Sequence, residues 1–280
     1  MTRATIIEVQ EQPIRNTTSP LQKAFQDIVM GFGMWRVWLM LGWQDVRLRY
    51  RRSHLGPFWI TLSMALTVYT LSFLYSHLWK ISYHEYMLYF ACGLLSWTLI
   101  VTIVTESTNA FADAKGYLLQ VKLPFTVFVM RMLFRNFIVF IHNFLAIIPL
   151  LLFFHSNLNW HTLLIFPILI LAFFPIFCFS MLFAMIGLRY RDIAQFITNI
   201  MNLIFFFTPI MWLPKNLPQH LHFLIDYNPL AQFVNLMRAP LMGQLPSGHE
   251  IKTILLLFAF SFCLMLWCFS KVRHRIVFWL

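Results

Sequence analysis

Between positions 47 and 57 the chain reads RLRYRRSHLGP, with Arg47, Arg49, Arg51 and Arg52 inside six positions. Clustered guanidinium groups make charge-assisted, paired hydrogen bonds to phosphate. The stretch can therefore hold a phosphate or diphosphate at a surface. A basic run can equally be a topology anchor with no ligand, and the residues alone leave both readings open. Other chemistry is thin. Gly243 and Gly248 have Walker-type spacing, but His249 and Glu250 stand where Lys and Ser/Thr are required, so ATP is not bound by that route. His84-Glu85 and His249-Glu250 open like a zinc helix, yet Leu88 and Thr253 occupy the positions where the second histidine belongs. No metal site is expected. His220 and His222 have the pattern of solvated surface histidines, and no G-x-S-x-G nucleophile elbow occurs.

The elements that must position the arginines follow from composition. Of 280 residues, 60% are hydrophobic and 11% charged, and the mean hydropathy is +0.70, against about 25% charged in soluble domains. This composition specifies an all-α integral membrane protein, because backbone groups within hydrocarbon must pair inside each segment. Six gaps between charged residues approach the roughly 20 residues a span needs. They run from Arg52 to Lys80, from Glu85 to Glu106, twice across 136–188 with a turn at "HSNLNWH" (155–161), from Ile193 to Pro214, and from Thr253 to Ser270. Seventeen of the 21 basic residues lie on one side, and only Lys80, Lys215, Arg238 and Lys252 on the other. By the positive-inside rule both termini are cytoplasmic. Because the basic residues sit beside spans, anionic lipids rather than nucleic acid are their expected partners. Cys92, Cys178, Cys263 and Cys268 fall in apolar spans and read as small hydrophobes. No cleavable signal peptide is expected, since a polar segment of about 20 residues comes first.

The expected organisation is a flexible cytoplasmic segment 1–18, an interfacial amphipathic helix and basic turn 19–56, a six-helix transmembrane domain 57–274 and a cytoplasmic tail 275–280. Ser19 and Pro20 make a good helix start, and Leu21, Phe25, Ile28, Phe32, Trp35 and Leu39 recur on one face, with Asp27 elsewhere. That stripe suits a membrane interface, with Trp35, Trp38 and Trp43 at headgroup depth, or a partner protein. Residues 109–125 suit a short cytoplasmic amphipathic helix or a plain loop. The proline-rich external stretch 215–251 reads as two re-entrant half-helices or as helices lying flat outside. Glu106, Arg131 and Arg135 fall near span ends, where snorkelling suffices, so an ion pump is disfavoured.

"DVRLRYRRSHLGPFWITLSM", the acid-to-basic turn after the second span, the "RYRDI" loop and the external insert together resemble the membrane subunit of ABC exporters for O-antigen and capsular polysaccharide, ABC-2 type polysaccharide export permeases, over about 20–275. The resemblance implies a homodimer in the bacterial inner membrane with two copies of a separate cytoplasmic ATPase. ATP and Mg2+ would be used by that partner, with no cofactor bound by this chain. The substrate would be a polysaccharide on a lipid diphosphate. Arg51, Arg52, His54, Leu55 and Gly56 would then stand near the substrate's way in, and Asp113, Lys115, Tyr117 and Leu118 would belong to a coupling helix on the ATPase. The external half-helices would form a gate. Tyr69 and Phe73 on the first span, with Phe206 and Trp212 on the fifth, would line the channel, although lipid-facing packing explains each of them too. Two other classes remain open: a multispan glycosyl- or acyltransferase with Asp113 or Glu106 as base, and a passive channel or carrier.

Overall fold

The computed structural model describes residues 19–153 and 159–280. The expected segment 1–18 and residues 155–158 of the predicted turn lie outside the described residues. Among those described, every regular element is a helix. Five are long and apolar enough to span a bilayer: α3 (Phe58–Trp79), α4 (Tyr83–Ser107), α6 (Phe125–Phe153), α7 (Ile165–Arg189, entered through a 3-10 turn at Trp160–Leu164) and α11 (Gly248–Val272). The fifth predicted span is shorter than the hydropathy implied. It is α8 (Asp192–Phe207), 16 residues or roughly 24 Å. Thr208 precedes Pro209, and a residue before proline is pushed out of the helical region; its backbone is extended, with ψ 133°.

The N-terminal helix begins as expected, with Pro20 in the first turn and the Ser19 hydroxyl accepting from Gln22 N at 3.2 Å. It breaks at Met34 into α1 (Pro20–Gly33) and α2 (Trp35–Arg49). The face buried within the chain is Ala24, Asp27, Ile28 and Gly31; of the expected stripe it includes only Ile28, and Leu21, Phe25 and Trp35 are exposed, as an interface or partner-facing stripe would be. Small residues serve the buried face because α1 lies close against α6 and α11: a Cβ at Gly31 would sit 2.7 Å from Thr126 Cγ2. Phe32, half-buried, meets Phe177 of α7 at 5.0 Å.

At the centre is α4, buried along most of its length. It accommodates hydroxyls at depth by turning them onto its own carbonyls. Ser96 donates to Cys92 O (2.8 Å), Thr102 to Thr98 O (2.7 Å) and Thr105 to Val101 O (2.7 Å), so these donors need no water. Around α4 pack α3, α6, α7, α8 and α10 (Pro229–Leu241). The external half-helices are unequal. Prolines at 214, 218 and 229 reduce 214–226 to single turns, including α9 (Phe223–Asp226), whereas α10 is a 13-residue helix buried among α4, α7 and α11. Glu250 finds its use at the start of α11, where it closes a capping box with Ser247.

Candidate functional site

The end of the bundle that carries both α2 and the α4–α6 connection gathers most of the described charge. Arg131 and Arg135 are four apart on α6 and so share one face. Asp45 of α2 takes Arg131 bidentately, at 2.7 Å from Nε and 2.5 Å from Nη2, and also meets Arg135 at 3.3 Å. Glu106, in the last turn of α4, accepts from Arg135 (2.7 Å), Asn136 (2.7 Å) and Arg49 of α2 (3.2 Å). One network thus clamps α2, α4 and α6. These groups are paired rather than snorkelling singly, which corrects the sequence reading of Glu106, Arg131 and Arg135. A signal was present: two arginines on one face of an apolar helix require counter-charges, and the chain has only ten acids. Glu106, with both carboxylate oxygens engaged and two of its three partners arginines, is a poor general base.

Immediately after α2 the basic turn projects from this clamp. Arg52 has φ +70° and Gly56 φ +55°; a left-handed non-glycine residue is uncommon and marks a backbone fixed by its surroundings. Gly56 N donates to Ser53 Oγ at 3.1 Å, closing the turn before α3. Arg51, Arg52, His54 and Leu55 are exposed and Gly56 half-buried. Neither Arg51 nor Arg52 has an ion pair or side-chain hydrogen bond among the described residues. The arginines nearest the fold's interior are spent on carboxylates, and those of the turn are free to take an anion.

The expected short helix between the second and third spans is α5 (Lys115–Gln120). Of the four residues assigned to it, Asp113 and Lys115 are exposed and Tyr117 and Leu118 half-buried. The Tyr117 ring lies 5.1 Å from the Arg131 guanidinium and packs on Phe128, Leu118 packs on the core, and Lys115 donates to the Leu280 carbonyl. Leu119, Gln120, Val121 and Lys122 are exposed as well. Asp113, just before α5, lines a small cleft with Asp45, Arg131 and Arg135. Partial burial pushes its carboxyl above the usual aspartate range, Glu106 and Asp45 adding to the rise and Arg135 and Arg131 opposing it.

The four aromatic residues form two groups on either side of α4. Phe73 meets His77 (4.6 Å) and Tyr83 (6.4 Å), and Tyr69 is exposed on the same helix. Trp212 Nε1 donates to Phe206 O at 3.0 Å, beside Phe205, which packs on Trp97 of α4. At the opposite end lies an arrangement the sequence did not announce. Buried Arg238 of α10 stacks over Tyr89 at 3.9 Å and donates to Pro209 O at 2.7 Å. Tyr89 OH donates to the same carbonyl (2.9 Å) and Tyr86 OH to Met211 O (2.5 Å). These bonds fix the irregular 208–213 segment that ends α8.

The model of the ABC-2 type transporter family matches residues 36–242, which include the basic turn, the charge clamp and α10. Among curated proteins, the chain is similar to an O-antigen export system permease protein RfbA of Klebsiella pneumoniae, 24% identical over 242 residues that cover 83% of this chain and 90% of that protein. A second Klebsiella pneumoniae protein of the same name is 22% identical over 241 residues, with 83% and 90% covered. One from Myxococcus xanthus is 25% identical over 174 residues, 60% of this chain and 65% of that protein.

Proposed function

Because the chain belongs to the ABC-2 type transporter family, we propose that it is the membrane-spanning subunit of an ATP-driven O-antigen exporter. Its substrate is a polysaccharide carried on a lipid diphosphate, and it works as a homodimer with two copies of a separate cytoplasmic ATPase, in the bacterial inner membrane with both termini cytoplasmic. The names of its relatives support the substrate class. One structural observation carries the assignment of the site: Arg51 and Arg52 stand exposed beside the first span with no ion pair among the described residues, Arg52 on a left-handed backbone. A diphosphate at headgroup depth satisfies both by forked, charge-assisted bonds, while His54, Leu55 and Gly56 shape the turn.

The clamp supplies a route from engine to turn. An ATPase docking on α5 pushes Tyr117 against Arg131; Arg131 is locked to Asp45, and Asp45 lies one helical turn before Arg49 and the basic turn. A displacement of α5 is thus passed to α2 as a rigid unit, through bonds that break only at a cost. Replacing Arg51 and Arg52 together by glutamine should lower O-antigen export by about tenfold or more, from the loss of charge-assisted bonds. Membrane level and co-purifying ATPase should stay as in the wild type. Export at the wild-type rate in a variant that inserts normally would remove the diphosphate role from this turn.

A further inference from the structure

On the flank formed by α7 and α11 lies a cavity of about 400 Å3 that the transport reading does not use. It is built in two levels. Deep in the bundle its wall is Leu182, Met185 and Cys268; at the basic end its rim is Arg189, Arg275 and Trp279. From 182 to 189 the helix rises roughly 10 Å, so the rim stands at headgroup depth when the floor stands among acyl chains. The rim carries two guanidiniums and no carboxylate. Arg189 lies 5.1 Å from the Trp279 ring and 5.8 Å from that of Tyr190, contacts that orient the guanidinium without neutralising it. Arg275 is exposed, and its Nε donates to His274 Nε2 at 3.4 Å. Neither arginine has an ion pair among the described residues.

We propose that this cavity is a binding site for one anionic phospholipid, its phosphate taken by Arg189 and Arg275 and one acyl chain laid along Leu182, Met185 and Ile186. Charge complementarity selects an anion, and the apolar floor selects a lipid over inorganic phosphate, which would leave that wall wet. The aromatic rim fits the same depth, since Trp and Tyr favour the membrane interface. The bound lipid joins the end of α7 to the last turns of the chain, which touch the coupling helix through Lys115 and the Leu280 carbonyl. The site is a resident lipid's and not the glycan carrier's, because α3, which follows the basic turn, packs chiefly on α4 and α6, whereas this cavity is built on α7 and α11. The proposal rests on the chain spanning a membrane and not on what it exports.

The test is native mass spectrometry of the detergent-purified full chain with its ATPase, titrated with phosphatidylglycerol or with phosphatidylcholine. One phosphatidylglycerol per chain should survive activation, with phosphatidylcholine lost. Arg189→Gln with Arg275→Gln should weaken retention by about tenfold or more. Ile186→Trp, at a position 41% exposed, fills the acyl path without disturbing the core and should weaken retention with both arginines intact. Millimolar inorganic phosphate should not displace the lipid. Equal retention of the two lipids, retention unchanged in either folded variant, or displacement by phosphate would each overturn the proposal. Because the readout is lipid mass, a failed export assay leaves this result standing, and the converse holds.

Discussion

Asp27 is fully buried where α1 meets the start of α6 and the end of α11. Its Oδ1 accepts from Thr126 N and Thr126 Oγ1, both at 3.1 Å, and its Oδ2 from Phe125 N (3.3 Å) and Arg273 Nε (3.1 Å). Pro124 precedes α6, so these backbone donors have no partner within their own helix, and a carboxylate there also meets the positive end of the helix dipole. Replacing Asp27 by alanine strands two buried amides and a hydroxyl, at about 3–6 kcal/mol in all. Arg273 is about a third exposed, so losing its pair adds at most ~1 kcal/mol. A loss of that size corresponds to a melting point lower by roughly 10 °C or more, measurable by thermal unfolding of the purified chain in detergent. Asp27→Asn keeps one acceptor and turns an amide NH2 toward the other donors, so it should fall between alanine and wild type. Arg273→Gln should cost far less than either. If Asp27→Ala melts within about 2 °C of wild type, water satisfies the start of α6 and the cap is incidental.

Two further substitutions probe the same end of the bundle. The fold raises the Asp113 carboxyl above its ordinary range, so it favours the protonated acid; the resulting stability is complete below the unperturbed value and is lost as pH rises through the raised one. Asp113→Asn should therefore melt above wild type at neutral pH, with the gap closing below about pH 4; a gap of constant size across that range would sink the argument. Gly187→Ala would put a Cβ 2.9 Å from Thr108 Cα and against the Thr108 carbonyl. Backbone cannot yield as a side-chain tip does, so the change should cost about 1–3 kcal/mol, whereas Gly116→Ala, with nothing within 4 Å, should melt no lower than wild type. Equal melting points for the two alanine variants would mean that α7 shifts freely against the α4–α5 connection.

Hydropathy made most of the fold legible, because the cost of wet backbone in hydrocarbon acts on every residue of a span and sums over about 20 positions. Helix starts set by one or two residues were legible too, as at Ser19-Pro20. Faces were harder to read. The stripe of Leu21, Phe25 and Trp35 is a real periodicity, but in a membrane a large apolar side chain is content facing lipid, so the stripe does not say where protein is. Ala24, Gly31 and Asp27 say it instead, through close approach and hydrogen bonds whose partners lie about a hundred residues or more away. Arg238 was hidden for the same reason: its partners are a carbonyl and a ring contributed by other elements, which spacing along the sequence cannot expose. In α5, spacing alone does not show that the Tyr117 ring turns partly inward onto the Arg131 guanidinium while Lys115 stays exposed.

Where a glycan could pass follows from what a single chain leaves uncovered. Two cavities of about 530 and 410 Å3 are lined almost wholly by aliphatic and aromatic side chains, which offer a hydroxyl-rich polymer almost no hydrogen bonds. α4 packs on both α3 and α8, and its own hydroxyls are turned back onto its carbonyls. The proposed export would therefore use the outer faces of α3 and α8. There α3 buries only the narrow stripe Thr61, Met64, Val68, Ser72 and Ser76, and α8 only Ile197 and Met201. Two outward faces of one chain cannot enclose a polymer, and lipid against them would leave the sugar hydroxyls unpaired. In the proposed homodimer a second copy, bringing its own α3 and α8 with their Tyr69, Phe73, Phe206 and Trp212, would supply the missing wall. These aromatics would then be rings on which successive sugars lie face to face with no linkage fixed.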